Sequence, residues 1–166
     1  SNAAAFRMSP EVPLLVPEVN APHLGLLDLQ RHHHGWTGGI VTNANCTATV
    51  LVMALAPLHE AFGVEAVMMT SMQAISGAGY PGVPSLDILG NVIPFIRNEE
   101  PKVEEETPKM LGRFTGQGVA LAPMAVSALC HRVPVMEGHT EAVSVKLKGN
   151  PSPEEVRAAF LAWKPE

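Results

Sequence analysis

Positive charge is scarce and scattered in this chain. Lysine and arginine number 11 against 16 acidic residues, a net charge of -5, and no basic cluster occurs anywhere. A general nucleic-acid binder needs a basic face, so that class is set aside. Long apolar runs are missing too. The longest, Ala48 to Leu58, is interrupted by Pro57 and is too short to span a bilayer. No signal peptide is read, and a cytoplasmic protein without membrane partners is expected. Charged residues make up only 16% while hydrophobic ones reach 46%, which excludes a disordered chain. At 166 residues there is length enough for one domain with a real core. Cysteine is also rare, with Cys46 and Cys130 alone. One disulfide is conceivable, but nothing in their context calls for it, and a reducing compartment is the simpler expectation.

What is present has a readable order. Ser1-Asn2-Ala3 reads as a remnant of tag removal. Pro13-Leu14-Leu15-Val16-Pro17 is a short extended piece. Asn20 is placed to cap a helix with Pro22 early and Leu24, Leu27 and Leu29 after it. That helix fades at His32 to His34, and Gly35 to Gly39 turn the chain. Ile40-Val41 then reads as a buried strand, broken by Asn43-Ala44-Asn45. A helical segment runs from Thr47 to a stop near Phe62-Gly63. Val64 to Gln73 is a second extended run, and Ala74 to Gly90, rich in Gly and Pro, is a loop. Lys102 to Arg113 is charged and partly helical, with Pro108 dissenting.

Val119 to Pro134 and Glu141 to Lys148 read as strands. In the second, Val143, Val145 and Leu147 share one face, and Ala142, Ser144, Lys146 and Lys148 the other. Ser152-Pro153-Glu154-Glu155 is a capping box. It starts a last helix with Val156, Ala159, Phe160 and Trp163 on its apolar face. The mixture predicts an α+β domain with a mixed, largely antiparallel sheet covered by helices on one side.

Cys46 lies at or near the start of the helix that follows the strand. Unpaired N–H groups and the positive end of the helix dipole favour a thiolate there. A nucleophilic cysteine belongs at such a place, and a small inert one sits there as easily. Gly77-Ala78-Gly79-Tyr80-Pro81-Gly82 satisfies G-x-G-x-x-G by letter. The dinucleotide fingerprint needs a helix opening at those glycines, and Pro81 and Pro84 oppose one. The glycines instead let the backbone approach a ligand or another chain.

Gln73 is either an orienting amide or a surface one. Glu99, Glu100 and Lys102 belong to a charge run, ordinarily a solvated face. Arg132 offers a fork for a carboxylate or phosphate. His139 is either a proton carrier or a turn residue. His32, His33 and His34 would point to alternate sides of an extended segment, with no partner cluster, so no metal site is expected.

Taken in order, "TNANC", "QAISGAGYPGV", "DILGNVIPFIRNEEPKVEEE" and "HRVPVMEGHT" closely resemble aspartate-β-semialdehyde dehydrogenase, in its archaeal and fungal branch. The likeness covers nearly the whole chain. Ala44 and Thr47 stand where the family motif has Pro and Ser, and both departures leave the cysteine in place. The resemblance implies Cys46 as nucleophile and His139 as acid/base. It implies Gln73 holding substrate near the cysteine, Arg132 clamping the substrate carboxylate, Glu99 receiving the amino group and Lys102 contacting phosphate. Glu100 stands beside Glu99, so register decides between them. Ser76 and Gly77 would touch the cofactor, NADP.

The resemblance further implies a fold like the C-terminal domain of glyceraldehyde-3-phosphate dehydrogenase. Residues 4–38 would form a lead-in segment and helix, and 39–166 the catalytic and dimerisation domain. A Rossmann domain, absent here, would bind most of NADP. The implied reaction is reduction of aspartyl phosphate to the semialdehyde through a cysteine thioester, in amino-acid biosynthesis. The implied partners are a small-molecule substrate and phosphate, within a homodimer or homotetramer. A related malonyl-CoA reductase, a non-catalytic dimerisation module and a Cys-His hydrolase are the competing readings.

Overall fold

A computed structural model describes residues 1–165. The chain order is β1 (Leu14–Leu15), α1 (Pro17–Asn20), α2 (Leu26–His34), β2 (Thr42–Asn43), α3 (Cys46–Phe62), β3 (Val64–Gln73), α4 (Ser85–Ile88), α5 (Glu99–Met110), β4 (Arg113–Phe114), β5 (Val119–Ala120), β6 (Ala125–Arg132), β7 (His139–Leu147) and α6 (Pro153–Ala162). A three-stranded sheet in the order β6-β3-β7 organises the rest. β3 pairs with β6 in parallel and with β7 antiparallel, so this sheet is evenly mixed.

Strand β3 explains which face is covered. Val67, Met69, Ser71 and Gln73 are buried, while Met68 and Met72 are exposed, the period of two that a half-buried strand shows. Val64 also points inward, which the period alone forbids. A register shift between Val64 and Ala66 absorbs the difference. Helix α3 lays Leu51, Leu55 and Leu58 on the inward face, where they meet Val67, Met69, Val103, Ala128 and Cys130. On its other side Ala48 and Val52 pack with Leu14, Val16 and Met110. The helices thus cover one side, as expected.

Helix α5 runs beside the edge strand β6 and closes it. Glu104 accepts a hydrogen bond from the Ala128 amide at 3.1 Å, and Glu100 one from Cys130 at 3.1 Å. Four residues apart, the two carboxylates lie on one helix face. Ile93 exchanges both backbone bonds with Arg132. Donors that an edge strand leaves open are satisfied within the chain.

Several local expectations shift. The strand placed at Ile40-Val41 lies at Thr42–Asn43, parallel to Leu14–Leu15. Ile40 is claimed instead by the Gln30 amide, which accepts from its N–H and donates to its carbonyl, both at 2.8 Å. Asn20 does not cap the turn after it. It ends α1 and ties its side chain back to Val16 N and Leu14 O, both at 2.9 Å.

The loop 74–90 carries a 3-10 turn over Ile75–Ala78 and the short α4. The strand drawn from Val119 to Pro134 is two strands. Pro123 has no amide to pair, and Ala122 N turns away to Pro108 O at 2.8 Å. Helix α5 starts three residues before Lys102. His32 to His34 are helical, not extended, and His33 and His34 both hold Glu11. The capping box at Ser152 forms in full. Val156 packs on the core, whereas Phe160 is 46% exposed.

Directly behind the end of the sheet, Ser71 pairs with Cys130 on one side and Glu141 on the other. Burial pushes the Glu141 carboxyl up from 4.5 to about 7, and its Oε1 is buried without a partner. A carboxyl group whose folded pKa exceeds its unfolded value stabilises the fold below the unfolded value. That contribution is lost as pH rises through about 7. Glu141→Gln removes the titration. The variant should therefore be more stable than the parent to urea at pH 8. Its advantage should shrink to nothing towards pH 4.5, as read from unfolding midpoints across that range.

Candidate active site

One row of the sheet brings three of the expected residues together. Gln73 is in register with Arg132 on β6 and with His139 on β7. Residues opposite one another on neighbouring strands leave the sheet on the same face, about 4.5–5.5 Å apart at Cβ. Gln73 ends β3, Arg132 ends β6 and His139 begins β7. The row therefore forms the rim of the sheet on its helix-covered face.

The start of α3 meets that rim. Asn45 caps the helix, its side chain accepting from Ala48 N at 3.0 Å. Cys46 is the first helical residue and is exposed. Its Sγ stands 3.3 Å from Nε2 of His139. The other ring nitrogen, Nδ1, lies 3.4 Å from the Ala74 backbone N–H. An amide N–H can only donate, so Nδ1 accepts. In the neutral ring the proton is then at Nε2, donated towards sulfur. The pair thus holds its proton on the nitrogen that faces the Cys46 sulfur.

The backbone of Ala74 also fixes Arg132, whose Nη1 donates to the Ala74 carbonyl at 2.7 Å. The 3-10 turn that follows folds over both side chains. It is anchored by Ile75 N to Val135 O at 2.8 Å and Ser76 N to Met136 O at 3.1 Å. A Cβ at Gly77 would stand 2.8 Å from Nη1 of Arg132 and 2.9 Å from Cε1 of His139. Only glycine lets the turn come so near.

Glu99 gathers the remaining residues. Its Oε1 accepts from Asn45 Nδ2 at 2.7 Å and from Gln73 Nε2 at 3.3 Å. Its Oε2 lies 3.3 Å from Lys102 Nζ. Gln73 also donates to Ser71 Oγ at 3.2 Å. Both of its contacts use the amide nitrogen, so its carbonyl oxygen is left over for another partner. Glu99 is buried at 7% exposure and faces this cluster, whereas Glu100 turns to the β6 backbone. Of the two, Glu99 is the one brought into the cluster.

The structure therefore joins Cys46, Gln73, Glu99, Lys102, Arg132 and His139 in one connected cluster, with Ser76 and Gly77 in the turn at its edge. Asn45, Ala74 and Ser71 belong to it and were not anticipated. Asn45 carried a signal, an N-cap residue type one place before the helix. Ala74 acts through its backbone and carried none.

A thiol, an imidazole, a buried carboxylate, an amide and a guanidinium gathered in one cluster are groups capable of covalent work on a carbonyl compound. Comparison with known proteins carries this to a family. Residues 55–166 match the family model described as semialdehyde dehydrogenase, dimerisation domain. Aspartate-semialdehyde dehydrogenase of Archaeoglobus fulgidus is 58% identical over 165 residues, covering 99% of this chain and 48% of that protein. The Schizosaccharomyces pombe protein of the same name is 49% identical over 171 residues, covering 100% and 48%.

Among solved structures, the Candida albicans enzyme with NADP aligns with a TM-score of 0.86 at 38% identity, covering 99% of this chain and 49% of that one. The Vibrio cholerae aspartate semialdehyde dehydrogenase II complexed with ASA aligns at 0.79 and 28%, covering 97% and 52%. The chain belongs to the semialdehyde dehydrogenase family, by its dimerisation domain. It spans about half the length of the curated relatives it matches.

The two cysteines differ in kind. Cys130 is buried, and burial pushes its thiol up. Iodoacetamide followed by peptide mapping should label Cys46 first at pH 7, and His139→Asn should slow that labelling. Equal rates at the two cysteines would remove the nucleophile assignment.

Proposed function

We propose that this chain is the catalytic and dimerisation part of an NADP-dependent aspartate-semialdehyde dehydrogenase, which reduces aspartyl phosphate to the semialdehyde in amino-acid biosynthesis. The observation that carries the reading is the 3.3 Å contact of Cys46 Sγ with His139 Nε2, set beside the row of Gln73 and Arg132. On this reading 39–166 is the catalytic domain, 4–38 leads into it, and a separate Rossmann domain binds most of NADP. A cytoplasmic enzyme fits, and among the described residues no helix is long and apolar enough to cross a membrane.

The chemistry follows from the residues. Arg132 keeps one guanidinium nitrogen on Ala74 and has the rest of its fork for the substrate carboxylate. Glu99 receives the amino group, and Lys102 beside it stands ready for phosphate. The Cys46 thiolate attacks the acyl carbon. A C–S bond forms, the C–O bond to phosphate breaks, and phosphate leaves with its electron pair. The Gln73 amide orients the acyl group, and helix-start N–H groups stabilise the developing oxyanion. Ser76 and Gly77 fit as contacts to NADP, because the turn is exposed and has no room for a side chain beside His139. NADPH, when bound, supplies the hydride that reduces the acyl group.

His139 Nε2 then manages the proton. Its N–H shares the proton with the oxygen in a hydrogen bond as charge develops and keeps it as the C–S bond breaks and the aldehyde leaves, so no net proton is moved. The buried Glu99 supports an amine-bearing substrate over malonyl-CoA, which offers that carboxylate no amine.

In the full-length protein, His139→Asn should lower kcat by about 100- to 10,000-fold and leave KM nearly unchanged. Arg132→Lys keeps the charge but loses the planar fork, so KM should rise by about tenfold or more with a smaller change in kcat. Steady-state kinetics with both parameters fitted separately decide this. A raised KM with normal turnover in His139→Asn would move the acid/base elsewhere.

We further propose that the chain forms a homodimer, alone or as half of a homotetramer, through the bare face of the sheet. Met68 and Leu129 project there, 70% and 57% exposed, with Met72 beside them. A patch of this kind is unusual on a free surface, and the family model carries dimerisation in its description. Sedimentation should show a dimer at micromolar concentration, and Met68→Lys with Leu129→Lys should shift it to monomer. A native chain that stays monomeric would refute the contact.

A further inference from the structure

Asn45 uses every polar group it has. Its N–H donates to Glu106 Oε2 at 2.6 Å, its Nδ2 to Glu99 Oε1 at 2.7 Å, its Oδ1 accepts from Ala48 N at 3.0 Å, and its carbonyl accepts from Thr49 N at 2.9 Å. It is 5% exposed. Glu99 and Glu106 are seven residues apart, two turns of α5, on the stripe that also buries Val103 and Met110. Helix α5 therefore grips Asn45 twice, by its side chain and by its backbone. The lower grip is anchored in turn, since Glu106 is 2% exposed and Arg7 pairs with it at 2.9 Å.

The upper grip is shared. Oε1 of Glu99 receives Asn45 and Gln73 together, which fills its two lone pairs. An ammonium group arriving at Glu99 must share that carboxylate with the longer contacts, Gln73 and Lys102 at 3.3 Å each, or loosen them. The short Asn45 bond remains and moves with the carboxylate. The other end of the Asn45 side chain is the cap of the helix whose first residue is Cys46.

We propose that Asn45 is a positioning residue that links Glu99 to the start of the cysteine helix, so that the substrate's amino group improves the placement of sulfur as well as the hold on substrate. The inference rests on the proposed reading of Glu99 as the amine site. Its consequence is selectivity expressed in turnover. A substrate that lacks the amine should lose kcat, not only affinity.

The test uses the full-length protein oxidising aspartate semialdehyde and succinate semialdehyde, the same chain without the amine, with NADP and phosphate. The readout is the ratio of the two kcat values, which cancels any uniform damage to the site. Asn45→Ser keeps a capping hydroxyl but is too short to reach Glu99. It should shrink the ratio by about tenfold, as expected for one lost hydrogen bond to a charged group. Asn45→Asp keeps size and cap and replaces the donor by a carboxylate; it should shrink the ratio at least as far, and it serves if the serine variant does not fold.

Glu99→Gln combined with Asn45→Ser should have the same ratio as Glu99→Gln alone. An unchanged ratio in both Asn45 variants, or additive losses in the double variant, would overturn the coupling and leave Asn45 as a cap. A parent protein that oxidises neither substrate fails differently, because it removes the proposed reaction and this inference with it.

Discussion

The register of three strands is the constraint on which the site depends. Side chains on a strand alternate faces, so a slip of one residue sends a whole set to the opposite side. If β6 or β7 slipped by one against β3, Arg132 or His139 would leave the helix-covered face and lose Gln73 as neighbour. Cys46 comes from a helix start with no strand of its own, and it meets His139 only because the row is correctly phased. The bulge between Val64 and Ala66 belongs to the same constraint. It lets β3 begin with Val64 in the core and still end with Gln73 on the buried face.

Burying acidic groups so near the Cys46 sulfur is costly unless each is matched. Glu99 has Lys102 and Glu106 has Arg7, and both acids also take charge-assisted hydrogen bonds from Asn45. The positive end of α3 is then shared between a paired acid cluster and the Cys46 sulfur. Glu141 is the exception, buried one row behind His139 with an unpartnered oxygen. Its raised pKa is the form the cost takes when no partner is supplied.

Much of this was legible in sequence, for identifiable reasons. The alternation of Val143, Val145 and Leu147, the capping box at Ser152 and the glycine stop at Gly63 are local signals, and local signals survive folding. Motif resemblance selected the residues that the sheet then brings together. What escaped was non-local. Nothing along the chain says that the Gln30 amide will occupy Ile40, or that Pro108 O will take Ala122 N and break a strand. Glu99 and Glu100 were indistinguishable by type. They separate only because α5 turns one towards the cluster and the other towards β6. The sheet also has as much parallel as antiparallel pairing, because the connection from β3 to β6 passes through α5 and brings β6 back in the same direction as β3.

The placement of the His139 proton finally depends on a backbone amide, not on a side chain. Ala74 offers its N–H to His139 and its carbonyl to Arg132. A carboxylate in its place would accept from Nδ1 and leave Nε2 bare in the neutral ring, the arrangement of a general base. An amide does the reverse and keeps the proton at Nε2, the arrangement of a hydrogen-bond donor. Because the backbone of the same residue holds Arg132, the distance between Arg132 and His139 is set by backbone geometry. Substitution at residue 74 by any residue but proline alters the size of its side chain and leaves that amide in place. Arg132 and His139 are therefore set relative to each other by the end of β3 itself.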